Sequence, residues 1–310
     1  MFRGFIREDI TKRSSKIMTI PKNTISTAVK KMRKPAMLAV IAFALAVFAA
    51  LPASARLSAN RLSANRLSPF SAATNSAAAS QLAANRLSIG QSGQNLYTAN
   101  PQAVSSFMAT EDGREVLGFI VSCAMPEGST LAARLPDNSP FEFFGELGLA
   151  NEWLTHPLKK AGRGWVSACL FARISANDVP IPISFRGQHQ ELGTDPGERA
   201  SWTLEEGAFY GDYFVAPGEP VQWIACRGRD QAVSEIGGLI DRDCTEPDPL
   251  HPGKTVCGLT YAGDCDAPTL PACHHLSPQG YYSKCADHAG GDESNSDLFR
   301  QVITVFALGG

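Results

Sequence analysis

The first 122 residues of this 310-residue chain contain no cysteine, and no two of its cysteines stand three apart. The missing Cys-x-x-Cys spacing removes the paired ligands of a zinc finger or ribbon, the thioredoxin-type redox pair and c-type haem attachment. Gly-x-Ser-x-Gly, His-Glu-x-x-His, the phosphate-binding P-loop and the Gly-rich dinucleotide fingerprint are also missing. With no catalytic motif to read, a non-enzymatic role is the expectation. No apolar run reaches the ~20 residues that span a bilayer; the longest, 36–51, has 16. Basic charge is scarce beyond that run. Ten of the 28 Lys and Arg but only 2 of the 30 Asp and Glu precede residue 56, leaving 18 basic against 28 acidic side chains. A body this acidic excludes nucleic acid, whose phosphates need Lys and Arg, and excludes electrostatic docking on anionic lipid.

What is present begins with a leader. The apolar run lies between the basic cluster Lys30-Lys31-Met32-Arg33-Lys34 and Pro52-Ala53-Ser54-Ala55. A positive head, a short apolar centre and an Ala-x-Ala end are the parts of a secretory signal peptide. Residues 1–55 are therefore expected to be a signal peptide with an extended head; a membrane anchor with a cytoplasmic tail is the alternative. The expected location is secreted, periplasmic or at the cell envelope, with no membrane span after cleavage.

The cysteines agree with export. All eight follow residue 55: Cys123, Cys169, Cys226, Cys244, Cys257, Cys265, Cys273 and Cys285. An even number in an exported chain reads as disulfides, and eight allow 105 pairings. Cys123 and Cys169 lie in apolar runs apart from the other six, so they are expected to bond each other. The segment 226–285 is rich in Pro, Gly, Asp and Cys and poor in apolar runs. It needs covalent staples in place of a core of its own.

Residues 56–95 read as a low-complexity tether. Ala-Asn-Arg-Leu-Ser occurs at 59–63, 64–68 and 84–88, too few copies to stack as a solenoid. Residues 96–310 read as one β-rich globular domain with a disulfide-stapled, loop-rich C-terminal part. The expected class is mainly β, with α+β as the alternative. Residues 116–135 read as two strands around the turn Pro126-Glu127-Gly128-Ser129, and 141–144 as a strand. At 145–158 a short helix or loop carries Trp153 into the core. The stretch 162–187 opens with Trp165, Cys169 and Ala172 at i, i+4 and i+7, which favours helix over strand. It continues as a strand over 179–185, where Pro180 and Pro182 point to a sheet edge. Residues 200–214 read as two strands bent at Gly207 or Gly211, and 221–225 as a strand leading to Cys226. Gln301-Val-Ile-Thr-Val-Phe-Ala-Leu308 is apolar on both faces and reads as a central closing strand.

Trp165-Val166-Ser167-Ala168-Cys169-Leu170 and Glu206-Gly207-Ala208-Phe209, behind a signal peptide and a five-residue Asn-containing repeat, resemble a group of uncharacterised secreted proteins of Gram-negative bacteria. The resemblance covers about 90–310 and implies export, but no activity and no catalytic residue.

Candidate chemistry is thin. Cys169 as a nucleophile would need a free thiol and a His partner. Cys273-His274-His275 with Cys265 and Cys285 offers zinc-ligand types at irregular spacing, and no metal site is assigned from it. Asp241 to Pro252 fails the EF-hand pattern, since position six is Glu246 and position twelve is Pro252. An irregular calcium site among Asp264, Asp266, Asp287, Asp292 and Asp297 is the one alternative to no cofactor. Glu205-Glu206, Glu146 and Glu152 are carboxylates near aromatics, the residue types of a glycoside hydrolase. Trp202, Tyr210, Tyr213, Tyr281 and Tyr282 are the candidate binding residues, since exposed rings stack on sugars. The reading is thus an exported, disulfide-stabilised binding or structural module. Its partner would be an envelope or extracellular ligand, with carbohydrate the class those rings suit; a secreted hydrolase is the alternative.

Overall fold

The computed structural model describes residues 61–64, 67, 69–89, 95–174, 181–230, 246–247, 255–256, 258–291 and 298–309. The chain divides into two compact units, Met1–Pro52 and Ala53–Gly310; every described residue belongs to the second. The expected signal peptide lies outside the described residues, as do Cys244, Cys257, His251, Asp292 and Asp297. Among the described residues no helix is long and apolar enough to cross a membrane.

The fold is α+β, with strands in the majority. The strands are β1 (Arg61–Ala64), β2 (Ser88–Ile89), β3 (Leu96–Thr98), β4 (Thr130–Arg134), β5 (Pro140–Phe144), β6 (Ile181–Arg186), β7 (Leu204–Asp212), β8 (Gln222–Arg227), β9 (Glu246–Pro247), β10 (Thr255–Val256), β11 (Thr260–Asp264), β12 (Cys273–Leu276), β13 (Tyr282–Cys285) and β14 (Ile303–Ala307). The helices are α1 (Pro69–Ala83), α2 (Pro101–Met108), α3 (Glu111–Ala124), α4 (Lys160–Ala172) and α5 (Pro196–Ser201). A six-stranded sheet runs β1-β6-β14-β7-β8-β11, antiparallel except for the parallel β8–β11 pair. A four-stranded sheet runs β2-β3-β4-β5. The hairpin β12–β13 and the pair β9–β10 complete the set.

Period-two alternation explains why the large sheet is covered on both faces. Phe209 on β7 and Trp223 and Ala225 on β8 join the main core, with α3 and α4. Their neighbours Ala208, Tyr210, Ile224 and Cys226 join a second cluster with the cysteine-rich segment. The strand β14 sits between β6 and β7 with all five residues buried, as its two apolar faces require. Helix α4 packs on β7 and on α3, and the disulfide between Cys123 and Cys169 joins the two helices, with Cα atoms 6.0 Å apart. Two further disulfides, Cys226–Cys265 and Cys273–Cys285, lie in the second cluster. The described cysteines of this segment therefore lay their sulfurs on the sheet, using β7, β8 and Val302 as the apolar partner the segment lacks.

Several expectations are corrected. Over its described residues the supposed tether is part of the domain. The strand β1 pairs with β6, α1 packs on α2 and α3, and Leu67 and Leu87, the leucines of two repeats, are 1% and 3% exposed. Residues 116–121 are helix, not strand. Thr110 caps α3 by accepting from the Gly113 N–H at 3.0 Å, and Glu111 and Asp112 lie in its first turn, against the dipole. The apolar run reads as continuous because α3 is buried on most of its circumference. Residues 204–212 form the single nine-residue strand β7, not two strands; its register against β14 shifts between Glu205 and Gly207, and Gly211, at φ +136°, is accommodated within it. Nor is β6 an edge strand. Pro182 is tolerated because the ladder to β14 covers only Ser184, Phe185 and Arg186, leaving the proline with β1 alone as a partner.

Candidate functional site

Four of the five candidate binding rings are core anchors. Tyr210 donates to the Ala286 carbonyl at 2.6 Å, and Tyr213 to the Ala72 carbonyl at 2.7 Å. Tyr282 donates to Glu205 Oε1 at 2.8 Å, and Trp202 is 6% exposed. Burial drives all three tyrosine pKa values upward, so the hydroxyls stay neutral donors. None offers a face for stacking, because a ring that serves the hydrophobic effect turns inward once its hydroxyl finds a carbonyl or carboxylate. Tyr281 alone is half-buried and lines a cleft.

The candidate carboxylates do not form a catalytic pair. Glu205 and Glu206 are consecutive on β7 where its register against β14 shifts, and both are fully buried, so neither opens to a cleft. Glu205 is fully buried and held by Arg229, at 2.6 Å, and by Tyr282. Glu146 accepts from the Ser122 hydroxyl, which in turn accepts from Arg173 Nη1 at 2.6 Å. Ser122 also accepts the Glu146 and Leu147 N–H groups at its carbonyl, so this trio ties the loop after β5 to the end of α3. Cys169 is bonded and offers no thiol. Cys273 is bonded too, and His274 Nε2 is 2.8 Å from the Gly291 carbonyl. Asp264, Asp266 and Asp287 turn to Arg227, Arg229 and His288 respectively, and do not converge.

One concave site among the described residues lies between the loop after β6 and the β12–β13 turn. It is a cavity of about 340 Å³ lined by Arg186, Gln188, His189, Gln190, Thr194, Gln279 and Tyr281, with Leu192 and two glycines. Both walls depend on glycine. At Gly280, φ +86°, an added Cβ would meet Arg186 Nη1 at 2.8 Å and the Phe306 ring at 3.2 Å. At Gly187 it would meet Leu192 at 2.8 Å and the Val302 carbonyl at 2.9 Å. The turn is held by the Ser277 carbonyl, which accepts from Gly280 N–H at 2.9 Å, and by Ser277 Oγ, which accepts from Gln279 and Tyr281 N–H at 3.2 Å each.

Arg186 forms the floor. Its guanidinium lies 3.6 Å from the Phe306 ring centroid and Nη2 donates to the Trp202 carbonyl at 2.5 Å. Burial lowers its pKa to about 10, against the pull of Glu198, so it stays charged at neutral pH. Arg186 Nε is buried with no hydrogen-bond partner among the described residues. The ring of His189 packs edge-on to Trp165 at 5.2 Å, and its Nδ1 accepts from the Glu191 N–H at 3.2 Å. That bond puts the proton of the neutral ring on Nε2. Burial lowers the His189 pKa below 6.5, against Glu191 and Glu152. The lining thus offers three side-chain amides, a hydroxyl, a neutral imidazole, one phenol and one fixed cation, and includes no carboxylate.

Only Tyr281 of this lining was singled out by composition. The signal for the rest was the polar Gln188-His189-Gln190 directly after a buried strand, facing a Pro-Gln-Gly-Tyr turn. No family model, curated protein or solved structure matches the chain.

Proposed function

We propose that the protein is a disulfide-stabilised binding module acting outside the cytoplasm, and that the cleft beside Tyr281 holds a short carbohydrate. The lining of that cleft carries the reading. Amides, hydroxyls and imidazole match a polyhydroxyl ligand bond for bond, each offering a donor, an acceptor or both. Tyr281 supplies a ring edge or face against the apolar side of a sugar. A cavity of about 340 Å³ lies at the small end of ordinary ligand sites, which suits one or two sugar rings in the roughly 300–1,000 Å³ range. Three disulfides among the described cysteines agree with an oxidising location. A binder is favoured over a glycosidase because the cleft lacks the carboxylate pair that bond cleavage needs.

Screening the oxidised protein on a glycan array, then titrating hits by calorimetry, tests the reading. Tyr281→Ala and Gln279→Ala are expected to weaken a hit by at least about 10-fold, with the fold intact because Gln279 is exposed and Tyr281 only half-buried. Absence of any hit, or a hit indifferent to both substitutions, overturns it. Release of reducing sugar from the hit would instead establish the hydrolase.

A further inference from the structure

Two disulfides touch in the second cluster. Cys226 Sγ lies 3.3 Å from Cys273 Sγ, although each is bonded elsewhere, to Cys265 and Cys285. The sulfurs of Cys226, Cys265 and Cys273 all lie within 4.8 Å of one another. Cys285 brings a fourth through its bond to Cys273. All four residues are 3% exposed or less. A tetrahedral zinc tetrathiolate, with Zn–S of about 2.3 Å, needs sulfurs about 3.8 Å apart, a spacing inside this range.

Backbone hydrogen bonds also join the segments that carry these cysteines. Cys265 N–H donates to the Arg227 carbonyl, Cys273 N–H to the Cys265 carbonyl and Cys285 N–H to the Phe299 carbonyl, at 2.9, 2.9 and 3.0 Å. Cys226 sits in β8 between two sheet partners. Three sulfurs therefore lie together and a fourth is bonded to one of them, on four segments that backbone hydrogen bonds also tie in place. Their surroundings are apolar, with Ile224, Tyr210, Tyr282 and Val302 in the same cluster. Such a closed, dry, four-ligand arrangement is that of a structural metal site and leaves no open position for catalysis.

We propose that Cys226, Cys265, Cys273 and Cys285 form a zinc site when reduced, so that one cluster closes this layer by disulfides in an oxidising compartment and by a metal in a reducing one. A dithiol reductant supplies two electrons and two protons to each S–S bond and is itself oxidised to a disulfide. The four thiols then release their protons as Zn²⁺ binds. The inference stands apart from the carbohydrate reading, since the cluster lines no part of the cleft.

The experiment uses the full chain, reduced by a phosphine without air and titrated with Zn²⁺ or Co²⁺. One tightly held zinc per chain is expected, with the thiolate charge-transfer and tetrahedral d–d bands of Co²⁺; the oxidised protein should bind none. Cys226→Ser with Cys265→Ser should abolish both signals. Cys123→Ser with Cys169→Ser, and Cys244→Ser with Cys257→Ser, should keep them. Because the first double variant can lose its fold, Cys285→Ser is measured as well. With three thiolates left, it should bind Co²⁺ at least 10-fold more weakly and show a smaller charge-transfer band. No metal on the reduced wild type, metal that survives the Cys226/Cys265 change, or an unaltered Cys285→Ser spectrum would each overturn the proposal.

Discussion

Replacing Cys123 and Cys169 together by alanine tests the staple between α3 and α4. The bond closes a loop with a sequence separation of 46. On the chain-entropy relation, losing that cross-link frees the unfolded chain by about 4 kcal/mol at 25 °C. Both sulfurs are fully buried where α3 meets α4, so the alanines also leave unfilled space, adding about 1 kcal/mol. The expected loss is about 4–5 kcal/mol. For a domain of this size it lowers Tm by roughly 8–20 °C. Urea unfolding of the oxidised protein, followed by near-ultraviolet circular dichroism, reads the loss directly. The m-value should rise as well, because an uncross-linked unfolded chain exposes more surface. The same relation gives about 2.8 kcal/mol for Cys273–Cys285, whose separation is 12. A loss under about 1 kcal/mol at Cys123–Cys169 with an unchanged m-value, or a larger loss at the shorter loop, would refute the reasoning.

Three further outcomes are expected. Tyr282→Phe removes a donor from the buried Glu205 carboxylate and should cost about 1–3 kcal/mol in urea unfolding, with Tyr210→Phe, which strands only a carbonyl, costing less. Gly280→Ala forces a side chain into a left-handed turn against Arg186 and Phe306; it should cost about 1–2 kcal/mol and abolish binding in the cleft. Since burial depresses the His189 pKa below its ordinary 6.5, the unfolded chain takes up the proton first. The stability due to the neutral ring is complete above pH 6.5 and declines as pH falls toward the folded pKa, so the wild type should weaken there and His189→Gln should not.

The parts of the fold legible in the sequence are those where burial and spacing agree. The closing strand β14 announces its place by apolar residues on both faces. Trp165, Cys169 and Ala172 mark α4, and the isolation of Cys123 and Cys169 from the other cysteines pairs them. The helix α3 was illegible from hydrophobicity because a helix buried nearly all round reads as an unbroken run; only the Thr110 cap and the acidic first turn betray it. The repeats were misread for the opposite reason. Ala, Ser and Asn bury little, yet one leucine per repeat suffices to seat Leu67 and Leu87 in the core. Tyrosine was ambiguous in principle, since the same ring serves a surface or an interior, and the carbonyls that decide for Tyr210 and Tyr213 lie 76 and 141 residues away. The cleft was hidden likewise: its two walls, at 186–194 and 279–281, come from different sheets and meet only in the folded chain.

Peptide mapping by mass spectrometry of exported protein, alkylated before digestion without reductant, tests most directly that oxidised sulfur holds the molecule together. Cross-linked pairs Cys123–Cys169, Cys226–Cys265 and Cys273–Cys285 are expected, with no alkylation at these six positions. Alkylated cysteine at any of them in folded, exported material would contradict it.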